Sequence, residues 1–377
     1  LSDPDSTSKI LLNIYAKLSK SFEEIFIYGG VFLLLFLLGI AISKYGSIKV
    51  NMPNKPIYSI YSWCSMLFAA GIGATILYWS TIEWIDYYNI LKSDNLLIDY
   101  DSLLYARTYP IFHWGFTAWA IYCLPVIAFT LAITKNPYSN LTFSGILNIN
   151  NFILRSILDV LFIGSIICAA GVGLGLSFPL ISSVISEIFT IERSYILDIS
   201  TILLCSIIFA TSAYVGVQRG IKKLSNINVI FLIIFLFLIL ILGPTKYIIA
   251  NSFETVTFYI TNYIDMSSTT GTIISLDWTV FYWAWWFALA PMVGTFLVNI
   301  SNGKTLREII FGTILIGSLG CTLCMLILSN LSIFLFETNI IDSPNIIENS
   351  LLSREALVVN TIASLNFGNY LLIGFVI

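Results

Sequence analysis

Eight long apolar runs, and the start of a ninth, constrain this chain more than any other feature. They lie at about residues 25–43, 60–82, 111–134, 157–186, 196–217, 225–249, 279–300 and 309–336, with the ninth opening near 366. A bilayer core takes roughly 20 apolar residues as a helix, and inside it every backbone N–H and C=O must be paired within its own segment. Composition agrees: 58% of the 377 residues are hydrophobic, 10% are charged and mean hydropathy is +0.90, whereas a soluble domain is about a quarter charged. The chain reads as an all-α polytopic membrane protein, multi-pass in the cell (inner) membrane. No low-complexity linker divides it, so residues 1–377 form a single transmembrane domain.

The loops alternate in charge. Lys44, Lys49 and Lys55, then Lys135 and Arg155, then Arg219, Lys222 and Lys223, then Lys304 and Arg307 mark one side. Asp86, Asp94, Asp99 and Asp101 against Lys92 and Arg107, then Glu187, Glu192 and Asp198 against Arg193, then Glu254, Asp265 and Asp277 with Lys246 at the start, then Glu337, Asp342, Glu348 and Glu355 with Arg354 mark the other. Basic loops stay cytoplasmic, which places Leu1 outside. Two outer segments, about 250–268 and 340–360, are too polar to span and suit amphipathic interfacial helices. Leu1 in place of Met, and a final apolar run "YLLIGFVI", lead us to expect that both ends are cut.

Several function classes fall away. No basic cluster suits a nucleic acid. The one histidine, His113, excludes a multi-histidine metal site. The CxxC of Cys321 and Cys324 lies in an apolar run and reads as helix packing. A membrane-embedded enzyme would need paired acids or a nucleophile with its base. The only candidates, Glu83 and Asp86, read as solvated residues capping a span.

Two spans carry glycine-rich stretches, "AAGIGATILYW" (Ala69–Trp79) and "AAGVGLGLSFP" (Ala169–Pro179). Two readings stay open. One is close helix packing, and the other is unwound backbone facing a cavity, as at transporter ion sites.

The stretch "DWTVFYWAWWFALAPMVG" (Asp277–Gly294) is unusually aromatic. At about 100° per residue, Trp278, Tyr282, Trp285 and Trp286 share an arc of roughly 100°, and Trp283 falls outside it. Trp114, Trp119 and Tyr122 in "FHWGFTAWAIY" form a second, wider arc. An interfacial aromatic belt suits Trp278 and Trp63 near span ends, but not Trp285 and Trp286 deeper in. Rings sharing one face suit a cage for a quaternary ammonium, which has no N–H to donate and whose spread charge favours ring faces. No acid lies among the arc residues, which points to a zwitterion or a weakly held cation.

These stretches resemble one family. "MLFAAGIGATILYW", "FHWGFTAWAIY", "GVQRGIKKLSNIN…GPT" and "WTVFYWAWW…P.VG.F…ISNGKTLREIIFG" (Trp278–Gly312) are similar, in the right order, to the betaine/carnitine/choline transporter family. The likeness covers essentially the whole chain. It implies a secondary active transporter of glycine betaine, carnitine or choline rather than an enzyme, with no cofactor. The implied fold is a LeuT-like core of two inverted five-helix repeats. About 25–43 would be an extra N-terminal helix, about 60–249 the first repeat, and about 279–377 a partial second repeat. The resemblance also implies a homotrimer. It assigns Trp114, Trp119, Tyr122, Trp285 and Trp286 to the substrate cage, and Trp278 and Tyr282 to a secondary outer site. Asp86 stands where the carnitine branch has a cage tyrosine, and Leu289 where the family has a further aromatic, so one wall is expected to be missing. "NIIDSPNIIE" (Asn339–Glu348) is similar to the carnitine-exchanging branch. An inactive relative and a carnitine/butyrobetaine-type exchanger therefore stay open as alternatives.

Coupling stays open as well. By the same resemblance, Gly71, Ile72, Gly73, Asn228 and Met292 are candidates for a cation site, with Na+ as the coupling ion. Sodium-independent exchangers carry an arginine at the position of Asn228, so Asn228 argues for a coupling cation. Val172 and Gly173 replace a Thr-Ser pair, which removes hydroxyl ligands. Sodium and protons both remain candidates.

Overall fold

The computed structural model describes residues 4–50, 56–72, 75–93, 99–135, 143–146, 149, 151–216, 220–341 and 351–376. Among these no strand occurs, and helices account for nearly everything. The first is α1 (Pro4–Ile42). The run expected at 60–82 is two helices, α2 (Ile60–Ile72) and α3 (Thr75–Ser93), and the one expected at 111–134 is α4 (Asp99–His113) followed by α5 (Phe116–Lys135). After the single turn α6 (Phe143–Ile146) come α7 (Phe152–Phe189), α8 (Tyr195–Val215) and α9 (Lys222–Leu242). The more polar α10 (Thr245–Met266) precedes a π-helical turn, Ser275–Thr279, that leads into α11 (Val280–Ile300). Then α12 (Leu306–Phe311), a second π-helical turn, Gly312–Ile316, and α13 (Gly317–Glu337) form one continuous run. Last are α14 (Leu351–Ala363) and α15 (Gly368–Val376), bent 120° from each other.

Seven of the described helices are long and apolar enough to cross a membrane, or eight with the bent pair. The run expected at 60–82 is described as α2 and α3 on either side of residues 73 and 74, and neither piece is long and apolar enough to qualify alone. The chain is thus a multi-pass membrane protein. Apolar side chains such as Ile163, Leu203 and Phe237 point outward from α7, α8 and α9, where lipid replaces water as solvent.

The two glycine-rich stretches behave differently. α2 ends at Ile72 and α3 begins at Thr75, while Gly73 lies outside the described residues. By contrast, α7 runs unbroken through "AAGVGLGLSFP", and nothing comes within 4 Å of a Cβ built on Gly171 or Gly175. The stretch is not unwound, and close packing among its glycines is met only at Gly173, where a built Cβ lies 3.9 Å from the Thr75 methyl.

The signature "ISNGKTLREIIFG" builds a clasp at the end of α11. Gly303 turns with φ +83°, and Val50 in the segment after α1 donates to the Lys304 carbonyl at 3.0 Å and accepts from Gly303 N–H at 2.9 Å. Thr305 and Glu308 form a capping box on α12, which satisfies donors that a helix start leaves orphaned. Arg307 donates through Nε to the Ala41 carbonyl at 2.6 Å, closing the C-terminus of α1. The belt reading of Trp63 gives way here: it is buried, donates from Nε1 to Ser301 at 2.9 Å and lies under the Lys304 ammonium at 4.5 Å.

At the other end of α1 the Tyr15 hydroxyl donates to the Asp277 carbonyl at 2.9 Å, and buried Glu23 accepts from Gly271 N–H at 2.7 Å. α1 and α11 therefore run parallel, as the charge alternation requires. Cysteines placed at Lys49, Lys222 or Lys304 are expected to react with an impermeant maleimide only from the cytoplasmic side, and those at Asp99, Glu192 or Glu254 only from outside. One reversed site would break the assigned topology.

Candidate functional site

The first ring set grows out of a helix break. Pro110 has no N–H to continue the α4 ladder, and the chain turns at Trp114 and Gly115 before α5 restarts. Trp114 N–H donates to the Pro110 carbonyl at 3.0 Å and Trp119 N–H to the Gly115 carbonyl at 3.2 Å. Only glycine fits at 115, because a Cβ there would overlap the Ile111 carbonyl and sit 2.6 Å from the Tyr259 hydroxyl. The turn projects Trp114 toward α11, while Trp119 and Tyr122 follow on the first turns of α5.

α11 presents Tyr282 and Trp286, one turn apart, to these rings. Trp114 meets Trp286 edge-on at 5.1 Å and Tyr282 at 5.9 Å. Tyr122 meets Trp286 at 5.3 Å and Trp119 at 5.8 Å, and Tyr282 stacks on Trp286 at 5.9 Å. Indole N–H groups anchor the box: Trp286 donates to the His113 carbonyl at 2.9 Å and Trp119 to the Cys321 sulfur at 3.4 Å. All five rings are buried. Edge-to-face pairs at these spacings are the favoured aromatic geometry.

The remaining arc residues separate. Trp278 stacks on Tyr282 at 6.2 Å and joins an outer group with Tyr87 at 5.2 Å and Trp79 at 6.3 Å. Tyr282 thus belongs to both groups. Trp285 is partly buried and meets Phe281 at 5.5 Å, apart from the five-ring box. Trp283 lies off the arc but does not face the outside: it is 2% exposed and packs on Phe112 at 5.4 Å and beside Gly30 of α1.

A cavity of about 590 Å³ lies on the basic-loop side of the rings, lined by Met66, Ala69, Ser177, Ser212, Asn228 and Met292 among others. Two of the candidate cation-site residues, Asn228 and Met292, therefore border one space. Gly71 and Ile72 end α2 two residues beyond the wall residue Ala69.

The acids overturn a sequence expectation. α3 continues well past the expected span end at 82, so Glu83 and Asp86 are not solvated caps. Glu83 is 0% exposed. Its Oε1 accepts from the Tyr87 hydroxyl at 2.7 Å and its Oε2 from Trp114 Nε1 at 2.9 Å. Tyr87 also bonds His113 Nδ1 at 2.7 Å, and His113 Nε2 meets the Thr279 hydroxyl at 3.0 Å. An acid therefore stands directly behind a ring of the box, where the arc residues alone suggested none. Tyr87, Thr279 and Trp79 were not singled out from sequence, and His113 was read only as excluding a multi-histidine metal site. The i, i+4 pairs Trp79–Glu83 and Glu83–Tyr87 were the available signal.

The model of the betaine/carnitine/choline family transporters matches residues 1–377. The chain belongs to the betaine/carnitine/choline transporter family. It is 31% identical over 323 residues to a carnitine transporter of Acinetobacter baumannii, covering 83% of this chain and 58% of that protein. It is 28% identical over 371 residues to a glycine betaine transporter of Bacillus subtilis, covering 95% and 71%. With a high-affinity choline transport protein of Escherichia coli it shares 30% over 311 residues, covering 79% and 45%. The alignments thus span between about half and three quarters of these relatives' lengths.

Asp86 and Leu289, the two positions expected to depart from the family pattern, are both placed. Asp86 has its own partner in this betaine/carnitine/choline family chain: Arg354 of α14 donates to both its oxygens, at 2.7 and 3.1 Å. Arg193 links Asp198 at 3.1 Å and Glu355 at 3.9 Å, so α14 is tied to α3 and to the α7–α8 corner by ion pairs. Leu289 is partly buried against the core. The segment Asn339–Glu348 is described only as far as Ile341.

Proposed function

We propose that the protein carrying this chain is a secondary transporter of quaternary ammonium compounds, with the five-ring box as its binding cage. The observation that supports this most directly is the convergence of Trp114, Trp119, Tyr122, Tyr282 and Trp286 from two non-adjacent helices, with ring centroids 5.1–5.9 Å apart along the chain of pairs. Core packing alone does not call for five indoles and phenols at one point in a bilayer. Each ring face contributes on the order of 0.5–2 kcal/mol to a desolvated cation. The rings touch one another in this conformation, so substrate entry requires them to part. Alternating access supplies that motion, and the cavity on the cytoplasmic side offers the path once they do. On this reading residues of about 60–249 belong to one inverted repeat and those of about 279–377 to the other, and the protein works as a homotrimer in the cell (inner) membrane.

The names of its relatives support carnitine, glycine betaine and choline as the compounds to test. Uptake of each labelled compound into proteoliposomes is the direct experiment, with saturable uptake of at least one expected. A chain that takes up none in any ion condition is an inactive relative.

Coupling follows from Asn228. It lines the cytoplasmic cavity beside Met292 and carries no charge, so a mobile cation has to supply what a fixed guanidinium would. Uptake is expected to need a sodium or proton gradient, and Asn228→Arg to reduce that need. The check is initial uptake with sodium replaced by potassium at fixed pH, then across a pH step. Full-rate uptake under every ion condition, driven by a substrate counter-gradient alone, would assign the chain to the exchangers.

A further inference from the structure

One residue meets both of the rings that α11 contributes to the box. His113 is the last residue of α4 and is fully buried. Its imidazole stacks on Tyr282 at 4.9 Å with the planes 20° apart, and its carbonyl accepts from Trp286 Nε1 at 2.9 Å. Tyr109 stacks on the same imidazole at 5.8 Å. The two ring nitrogens reach different elements: Nδ1 lies 2.7 Å from the Tyr87 hydroxyl of α3, and Nε2 lies 3.0 Å from the Thr279 hydroxyl at the head of α11. A hydroxyl donates or accepts, so either tautomer of the neutral ring keeps both bonds. The bridge therefore holds whichever way the protons run along it.

Thr279 closes the π-helical turn Ser275–Thr279, in which Val280 N–H reaches back to the Ser275 carbonyl. Such a turn holds one residue more than the α ladder. If it relaxed into α geometry, the chain before it would rotate by about 100° against the rest of α11. Trp278 lies inside the turn and Tyr282 follows less than one turn after it. The turn is pinned at both ends, since Ser275 donates to Glu23 of α1 at 2.5 Å and Thr279 meets His113.

We propose, on the reading that the rings are the cage, that His113 is its positioning residue. Through Nε2 and Thr279 it fixes the register at which α11 leaves its π-helical turn. Through its ring it holds Tyr282 in the plane that stacks on Trp286 at 5.9 Å. Tyr282 belongs to the box and to the outer ring group alike, so its plane sets how the box closes on the outer side.

Three variants separate the bridge from the bulk of the ring. His113→Gln carries an amide to the place of Nε2 and keeps the Thr279 bond. His113→Asn carries one to the place of Nδ1 and keeps only the Tyr87 bond, and His113→Phe keeps a ring and loses both. KM and maximal rate for labelled carnitine, glycine betaine and choline are measured in proteoliposomes, per folded protein. His113→Asn and His113→Phe are expected to raise KM about five- to tenfold at a maximal rate within about twofold, as loss of a buried hydrogen bond would. His113→Gln is expected to hold KM within about twofold. A raised KM at constant rate marks lost binding, whereas a purely structural role lowers the amount of folded protein and leaves KM alone. Thr279→Val removes the other end of the same bond with the imidazole in place. It is expected to raise KM as His113→Asn does, and it decides the matter where a His113 variant does not fold. An unchanged KM in Thr279→Val, or equal KM values for His113→Gln and His113→Asn, would overturn the proposal. Trp286→Leu run alongside tells the two readings apart: a raised KM there alone leaves the cage standing without His113. No saturable uptake of any of the three compounds by the unaltered protein would remove the cage reading and this proposal with it.

Discussion

Replacing Trp286 by leucine is expected to weaken quaternary ammonium binding by about 1–2 kcal/mol, roughly tenfold or more. Trp286 is the common member of the box: it touches Trp114, Tyr122 and Tyr282 at 5.1, 5.3 and 5.9 Å. The comparison is Trp283→Leu, its near neighbour in sequence. Trp283 fills space between α1, α4 and α11, so its truncation is expected to cost stability of about 3 kcal/mol and leave the affinity of the folded fraction within about twofold. Binding normalised to folded protein, with melting temperature measured in parallel, separates the two. Equal affinity losses from both variants would mean that the box is core packing and nothing more.

Gly317→Ala is expected to be strongly disruptive for a change of one methyl. A Cβ on Gly317 would overlap three atoms of the Trp119 indole, and that indole is pinned by its bond to Cys321 and by Tyr122. Neither side can yield, since backbone lies on one and the ring box on the other. Overpacking of this kind costs about 1–3 kcal/mol, and substrate binding should fall with it because Trp119 must leave its place. Gly171→Ala is the control. It adds a methyl where nothing lies within 4 Å, and glycine in a helix interior is unfavourable by roughly 0.5–1 kcal/mol relative to alanine. The expected result is a lower melting temperature and lost binding for Gly317→Ala, against an unchanged or raised melting temperature for Gly171→Ala. Similar behaviour of the two variants would show that the glycine–indole contact does not hold the box.

Much of this was legible in the sequence because it is local and periodic. Apolar runs mark helices by length alone, and loop charges orient them. The arc of Trp278, Tyr282 and Trp286 follows from 3.6 residues per turn. What periodicity could not supply was the partner of each face. Trp285 shares the arc but meets Phe281, because the width of an arc does not say where the opposing helix ends. Trp283 lies off the arc yet is buried, because α1 covers that side. Glu83 read as solvated because hydropathy falls at the end of the apolar run, although α3 continues and turns the carboxylate inward. Its bond to Trp114 joins residues 31 apart in sequence. The glycines of α7 misled for the opposite reason: their spacing matched a break, but an unbroken helix costs only their low propensity.

α10 faces two ways. Its outward side shows Ile249, Phe253, Ile260 and Ile264, the profile of a helix lying in the headgroup region. Its inward side packs against the turn that carries Trp114. Arg107 of α4 is clamped by Asn251 and by Glu254, the latter at 2.7 Å. The hydroxyls of Thr117 and Tyr263 meet at 2.6 Å, and Tyr259 sits against Gly115. The peripheral helix and the seat of Trp114 are therefore one mechanical piece. Any shift of α10 against the bundle would strain the Arg107–Glu254 and Thr117–Tyr263 contacts and, through them, the turn that carries Trp114.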